Sequence, residues 1–242
     1  MNQPTIAGNL ARVQEQVSAA CRKAGRSADE VALMAVSKVH PVEAILEACA
    51  AGHRLFGENR VQELMAKAPS LLALRSGPHP ARFHLIGPLQ SNKTTKAAEL
   101  FDAIDTVDSL KIAQRLDSAA AALHRTLPVL VEVKLSHEET KHGLAPDELP
   151  ALLDALANLP HLQVRGLMTV PPWSEAPETA RPYFRQLRQL RDQQQRRFPS
   201  LTELSMGMSN DFAVAIEEGS TCVRIGTAIF GKRILSQQPA AE

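Results

Sequence analysis

Val31-Ala32-Leu33-Met34-Ala35-Val36-Ser37-Lys38, followed by Val39-His40-Pro41, is the stretch that decides how this chain is read. An apolar run of that length, bounded by proline, is the pattern of a strand buried on both faces, as in a parallel sheet. A lysine stands at its carboxyl end, where barrels and open α/β sheets keep their chemistry. Partly desolvated in such a place, an amine gives up its proton more readily and can attack a carbonyl. Most strand-end lysines simply emerge into solvent, so the position of Lys38 alone leaves both roles open.

Working outward, the same unit repeats. Before the run, residues 5–24 place Ile6, Leu10, Val13 and Val17 at helical spacing, and Gly25 ends that extra N-terminal helix. After it, strands are predicted at residues 55–59, 82–87, 103–107, 127–134, 164–170, 203–209 and 222–230. They alternate with helices at 41–51, 61–67, 92–100, 109–123, 147–156, 177–198 and 212–218. Residues 74–80, with Gly77, Pro78 and Pro80, read as a loop. Eight strands alternating with helices in 242 residues point to a (β/α)8 TIM barrel over 31–231. A doubly wound open sheet is the alternative. Residues 1–242 read as a single domain, with 232–242 as a tail and no further β domain after the barrel.

Composition narrows the class. A hydrophobic fraction of 44% is ample for one large core. Lys+Arg of 27 against Asp+Glu of 26 leaves almost no net field, which argues against nucleic acid and anionic membranes as partners. Cys21, Cys49 and Cys222 are far apart and lack metal-ligand spacing, so free thiols in a reducing cytoplasm are expected, with no metal. No stretch approaches the ~18 apolar residues of a membrane span. Arg185, Arg188, Arg191, Arg196 and Arg197 interleave with Gln and Asp, and read as a solvated, charge-laced helix face rather than an anion site.

A barrel would gather the polar strand ends on one face: Lys38, Glu58-Asn59, His84 with Gly87, Asp108, Lys134, Thr169, Met208-Ser209 and Arg224-Ile225-Gly226-Thr227. The loops after the seventh and eighth strands of a barrel commonly seat a phosphate on backbone N–H groups and hydroxyls. Ser209 and Thr227 supply hydroxyls there, and Gly226 lets the backbone approach. Ser209 is equally an ordinary helix N-cap, Asp211 competes with a phosphate, and His84 also reads as a satisfied half-buried histidine. An amine, a phosphate cradle and an inward arginine on one face nonetheless match pyridoxal 5′-phosphate (PLP): aldehyde to lysine, phosphate to cradle, ring nitrogen to a hydrogen-bonding partner.

Segments 35–38, 56–63, 83–93, 166–168, 206–209 and 223–231 resemble the pyridoxal phosphate homeostasis protein family, whose fold is similar to the barrel of alanine racemase. The resemblance implies that Lys38 carries the Schiff base, that Arg224 faces the pyridine nitrogen, and that Ser209, Gly226 and Thr227 hold the phosphate. It also implies that Asn59, His84 and Met208 line the ring. Lys141-His142-Gly143-Leu144 resembles the family's loop after the fifth strand. The expected function is binding PLP for its intracellular homeostasis, with apo-enzymes as possible recipients. The alternative is a PLP-dependent racemase or aldolase. An arginine cannot accept a proton, which leaves the ring a poorer electron sink and disfavours decarboxylation and transamination. Racemases of this pattern take a tyrosine base from an extra β domain. Here the single tyrosine, Tyr183, falls in the helix after the sixth strand.

Overall fold

In the computed structural model, which describes residues 5–136, 138 and 142–231, β1 (Ala32–Val36) lies parallel to β2 (Leu55–Glu58) on one side and to β8 (Cys222–Ile225) on the other. That last pairing closes the sheet. β3 (Arg82–Leu85), β4 (Ala103–Val107), β5 (Leu127–Glu132), β6 (Leu162–Met168) and β7 (Glu203–Met208) complete a closed, all-parallel barrel in chain order. The open-sheet alternative is thereby set aside.

Side chains alternate across each strand. In β8, Val223 and Ile225 join the apolar shell between barrel and helices, while Arg224 turns inward. A Cβ on Gly57 would lie 2.8 Å from both Met34 Sδ and Ile86 Cδ1. The missing side chain lets these two residues fill the centre of the barrel. Gly87 serves a close approach: a Cβ there would overlap the Asn59 carbonyl.

The surrounding helices are α2 (Val42–Ala50), α3 (Val61–Arg75), α4 (Thr94–Leu100), α5 (Leu110–Ala122), α6 (Leu149–Leu156), α7 (Arg181–Gln195), α8 (Phe212–Glu217) and α9 (Thr227–Phe230). Before them in the chain, α1 (Ile6–Lys23) packs against α2, α8 and α9 and fills the seam where β8 returns to β1. Asn9 Nδ2 donates to Ile229 O at 2.9 Å and Arg12 Nη2 to Ala228 O at 3.2 Å. The N-terminal helix therefore braces the segment that follows β8.

Several boundaries differ from the sequence reading, and three of them carry a physical reason or bear on the site. The eighth strand stops at Ile225: Gly226, at φ −110° and ψ −77°, leaves the extended region, and Thr227–Phe230 turns into α9. β6 begins two residues earlier than expected, at Leu162. α3 continues through Pro69 to Arg75, where a loop was expected from residue 74, with Leu71 fully buried beneath its second half. The arginine-rich face of α7 is engaged internally, since Arg181, Arg185 and Arg188 all reach the Glu218 carboxylate. Among the described residues no helix is long and apolar enough to cross a membrane, and no cluster of His, Cys, Asp or Glu could hold a metal ion. The tail 232–242 lies outside the described residues.

Candidate functional site

Lys38 sits in a tight turn just past β1. Ser37 N–H donates to Gly57 O at 3.0 Å and His40 N–H to Ser37 O at 3.2 Å. Between them Val39 has φ 59°, a left-handed conformation that a β-branched residue adopts only under constraint. The constraint comes from α3. Glu63 Oε2 accepts the Val39 N–H at 3.2 Å, and Lys67 Nζ donates to Ser37 O at 3.0 Å. Lys67 Nζ also donates to Glu58 Oε1 at 2.7 Å, and Ser37 Oγ donates to the same oxygen at 2.8 Å. Glu58 is fully buried and its Oε2 has no partner. Burial pushes its carboxyl pKa up, and the Lys67 charge pulls it back only in part. On the other side, the His40 ring packs on Phe230 of α9 at 5.1 Å.

The turn opens on a cavity of about 550 Å³ at the carboxyl ends of the strands. Lys38, Asn59, Met208, Ser209, Arg224, Gly226 and Thr227 all line it. Among the described residues, Lys38 is the one lysine that lines it. Arg224, 4% exposed, is aimed by two donations, Nη1 to Ser205 Oγ at 2.7 Å and Nη2 to Thr169 O at 2.8 Å. The hydroxyls of Ser209 and Thr227 have no hydrogen-bond partner among the described residues. The N-cap position of α8 belongs to Asp211, so Ser209 is not occupied as a cap. Asp211 Oδ1 instead accepts the Met208 N–H at 2.6 Å, and burial pushes its carboxyl pKa up.

His84 is the exception among the sequence candidates, and its placement is corrected here. It lines a separate cavity of about 490 Å³ with Arg82, Asp105, Arg125 and Glu203, at the amino ends of the strands. Its Nδ1 lies 3.1 Å from Asp105 Oδ1. Burial lowers its pKa, and the Asp105 carboxylate more than reverses this, so the imidazole ends above its ordinary value. His84, counted among the strand ends in the sequence, lies below them. Two residues further along, Ile86 occupies the position at the upper cavity. Glu58, Asp108 and Lys134 do not line that cavity either, and Thr169 Oγ is spent on Val133 O at 2.8 Å. Lys141 lies outside the described residues.

With this geometry in place, comparison with known proteins is informative. Residues 8–234 match the family described as alanine racemase, N-terminal domain. A pyridoxal phosphate homeostasis protein of Vibrio cholerae is 44% identical over 236 residues, covering 96% of this chain and 98% of that protein. The protein of that name from Escherichia coli K12 is 45% identical, covering 96% of this chain and 99% of its own. The chain belongs to the pyridoxal phosphate homeostasis protein family. Within reach of that family is a solved structure of PipY from Synechococcus elongatus with PLP bound. It is 43% identical with a TM-score of 0.83, covering 94% of this chain and 100% of that chain. Alanine racemase of Clostridium difficile matches at 13% identity and a TM-score of 0.68, covering 90% of this chain and 56% of the racemase, a likeness of fold alone.

The sequence reading missed Glu132, Trp173 and Asn210 at the cavity and gave no role to His142, which also lines it. Glu132 ends β5 two residues before Lys134, which had been weighed instead. Trp173, 73% exposed, and His142 stand on loops after β6 and β5. The Pro171-Pro172 pair ahead of an isolated tryptophan was the available signal.

Proposed function

We propose that this cavity holds pyridoxal 5′-phosphate through Lys38, and that the protein keeps the cofactor available in the cell by buffering it and handing it to apo-enzymes. The observation that carries the reading is the convergence of one amine, one buried guanidinium and two unengaged hydroxyls on a single cavity. A volume of about 550 Å³ lies in the ordinary range for small-molecule sites. The cofactor supplies an aldehyde for a primary amine and a ring that withdraws electrons. Lys38 provides the amine. Arg224, already fixed by Ser205 and Thr169, presents a charge that has no lone pair to offer a proton. Ser209, Thr227 and the first N–H groups of α9, which lack intrahelical partners, form the phosphate seat. Asn59 and Met208 flank the ring. That PipY, 43% identical, was solved with PLP bound supports PLP as the ligand, and three unpaired thiols suit a reducing cytoplasm.

Hydrogen bonds to a charged group contribute about 1.5–3 kcal/mol each, so Thr227→Val should weaken cofactor retention roughly tenfold or more. Ser209→Ala should act in the same direction. Competition against an apo-enzyme measures this. Retention unchanged in both variants would move the phosphate seat elsewhere.

The reading is of a carrier rather than a racemase or aldolase. Racemisation requires an acid on the face opposite Lys38, and Tyr183, the single tyrosine, sits on α7 away from the cavity. His84 is at the other end of the barrel. Asp211, one of the carboxyls that line the cavity, is engaged with the Met208 N–H. General acid–base groups typically contribute about 10²–10⁴-fold. The loaded protein incubated with L-alanine, L-serine and L-threonine is expected to show neither inversion nor aldehyde release. Turnover of about 1 s⁻¹, within the ordinary enzyme range, would overturn the carrier in favour of the enzyme.

A further inference from the structure

Beside the cofactor cavity lies a larger one of about 960 Å³, formed by the segments that follow β2 and β3. Asn59, Pro88 and His142 line both. The wall of the second is Arg60, Gln62, Gln90 and Lys93, over an apolar floor of Val61, Ala66 and Leu89.

The state of its cations sets this cavity apart. Arg26, Arg54 and Arg125 are each tied to backbone carbonyls, and the α7 arginines to Glu218. The Arg60 guanidinium and the Lys93 ammonium have no hydrogen bond or ion pair among the described residues, and neither do the side-chain amides of Gln62 and Gln90. Among the described residues the one carboxylate on the wall, Glu63, already accepts the Val39 N–H. A guanidinium, an ammonium and two carboxamides facing one concave space are the donor set of an anion site, and concavity strengthens their field there.

We propose that this second cavity binds a small anion, a carboxylate or phosphate group carried on an organic body, other than the cofactor. Its occupancy alters cofactor release, because Asn59 and His142 belong to both walls. The release clause rests on the cofactor reading above. The binding clause does not.

The test is calorimetric titration at constant ionic strength with inorganic phosphate and, separately, with succinate. It is run on PLP-loaded protein, whose phosphate seat is filled, and on unloaded protein. At least one probe should bind the loaded parent saturably, one to one. Arg60→Gln combined with Lys93→Gln should weaken that binding tenfold or more, with thermal melting unchanged, since charge-assisted bonds contribute about 1.5–3 kcal/mol each. No saturation by either probe up to about 10 mM, tenfold above a millimolar Kd, overturns the site. So does equal binding by the double variant. A saturating probe should change the rate of cofactor transfer to an apo-enzyme at least twofold in the parent and not in the double variant, and an unchanged rate removes the coupling. A protein that refuses to load sinks the cofactor reading, while the unloaded titration, compared between parent and double variant, still decides the second cavity.

Discussion

Borohydride reduction of the PLP-loaded protein is expected to leave a pyridoxyl group on Lys38, in larger yield than on all other lysines together. The argument is geometric. Among the described residues, Lys38 is the one lysine lining the cavity that also holds Arg224, Ser209 and Thr227. Lys67, close by in the fold, is turned the other way onto Glu58 and the Ser37 carbonyl. Lys93 belongs to the neighbouring cavity, and Lys134 lines neither. Peptide mass mapping reads the result. A label found mainly on Lys93 or Lys134 would remove the assignment, and with it the role given to the strained turn.

Much of the barrel was legible because its strands are buried on both faces and therefore read as continuous apolar runs. β1 and β5 are plain examples. The end of β8 was not legible for the same reason. Thr227-Ala228-Ile229-Phe230 is as apolar as a strand, and Ile229 is indeed buried, but as part of α9. What holds it there is distant in sequence: Asn9, 220 positions away, caps the Ile229 carbonyl. No local pattern carries that information. α3 shows the converse, since Pro69 and the Gly-Pro residues beyond it suggest an earlier stop than Leu71's burial allows.

At the site, Lys38, Ser209, Arg224 and Thr227, chosen for chemistry and strand-end position together, line one cavity. His84 fails on depth, because a period of two assigns a side chain to the barrel interior without saying which layer it enters. A buried carboxylate, Asp105, holds it in the lower layer. Trp173 and His142 were invisible to strand parity because they stand on loops, where position is set by contacts rather than by a repeat. Glu58 was counted among the strand ends facing the site, yet it points outward to α3. There it does something the sequence did not reveal, which is to anchor the turn that presents Lys38.

That anchor supplies the second large effect. Lys67→Met is expected to destabilise the folded protein by about 3 kcal/mol or more at pH 8, because removing one member of a buried pair leaves an uncompensated charge. Glu58 is fully buried and keeps one carboxylate oxygen unpartnered even in the parent. Its pKa is already above the ordinary 4.5, with burial as the main cause, and loss of the Lys67 charge raises it further. A carboxyl whose folded pKa exceeds its unfolded value takes up a proton on folding. Stability is therefore gained as the pH falls through the raised pKa toward the unfolded one, and lost as the pH rises through it. Denaturant melts at pH 8 and near pH 5.5 should accordingly show the deficit of Lys67→Met shrinking on acidification. Glu58→Gln combined with Lys67→Met should be milder than Lys67→Met alone, since no charge is then stranded. The turn itself should loosen in Lys67→Met: Ser37 O loses a donor beside Val39, whose left-handed backbone stores about 1–3 kcal/mol of strain. Covalent uptake of the cofactor by Lys38 should then slow at pH 8, even in the fraction that remains folded. A deficit of equal size at both pH values, with additive behaviour in the double variant, would mean that Glu58 is not charged in the fold and that the pair does not position Lys38.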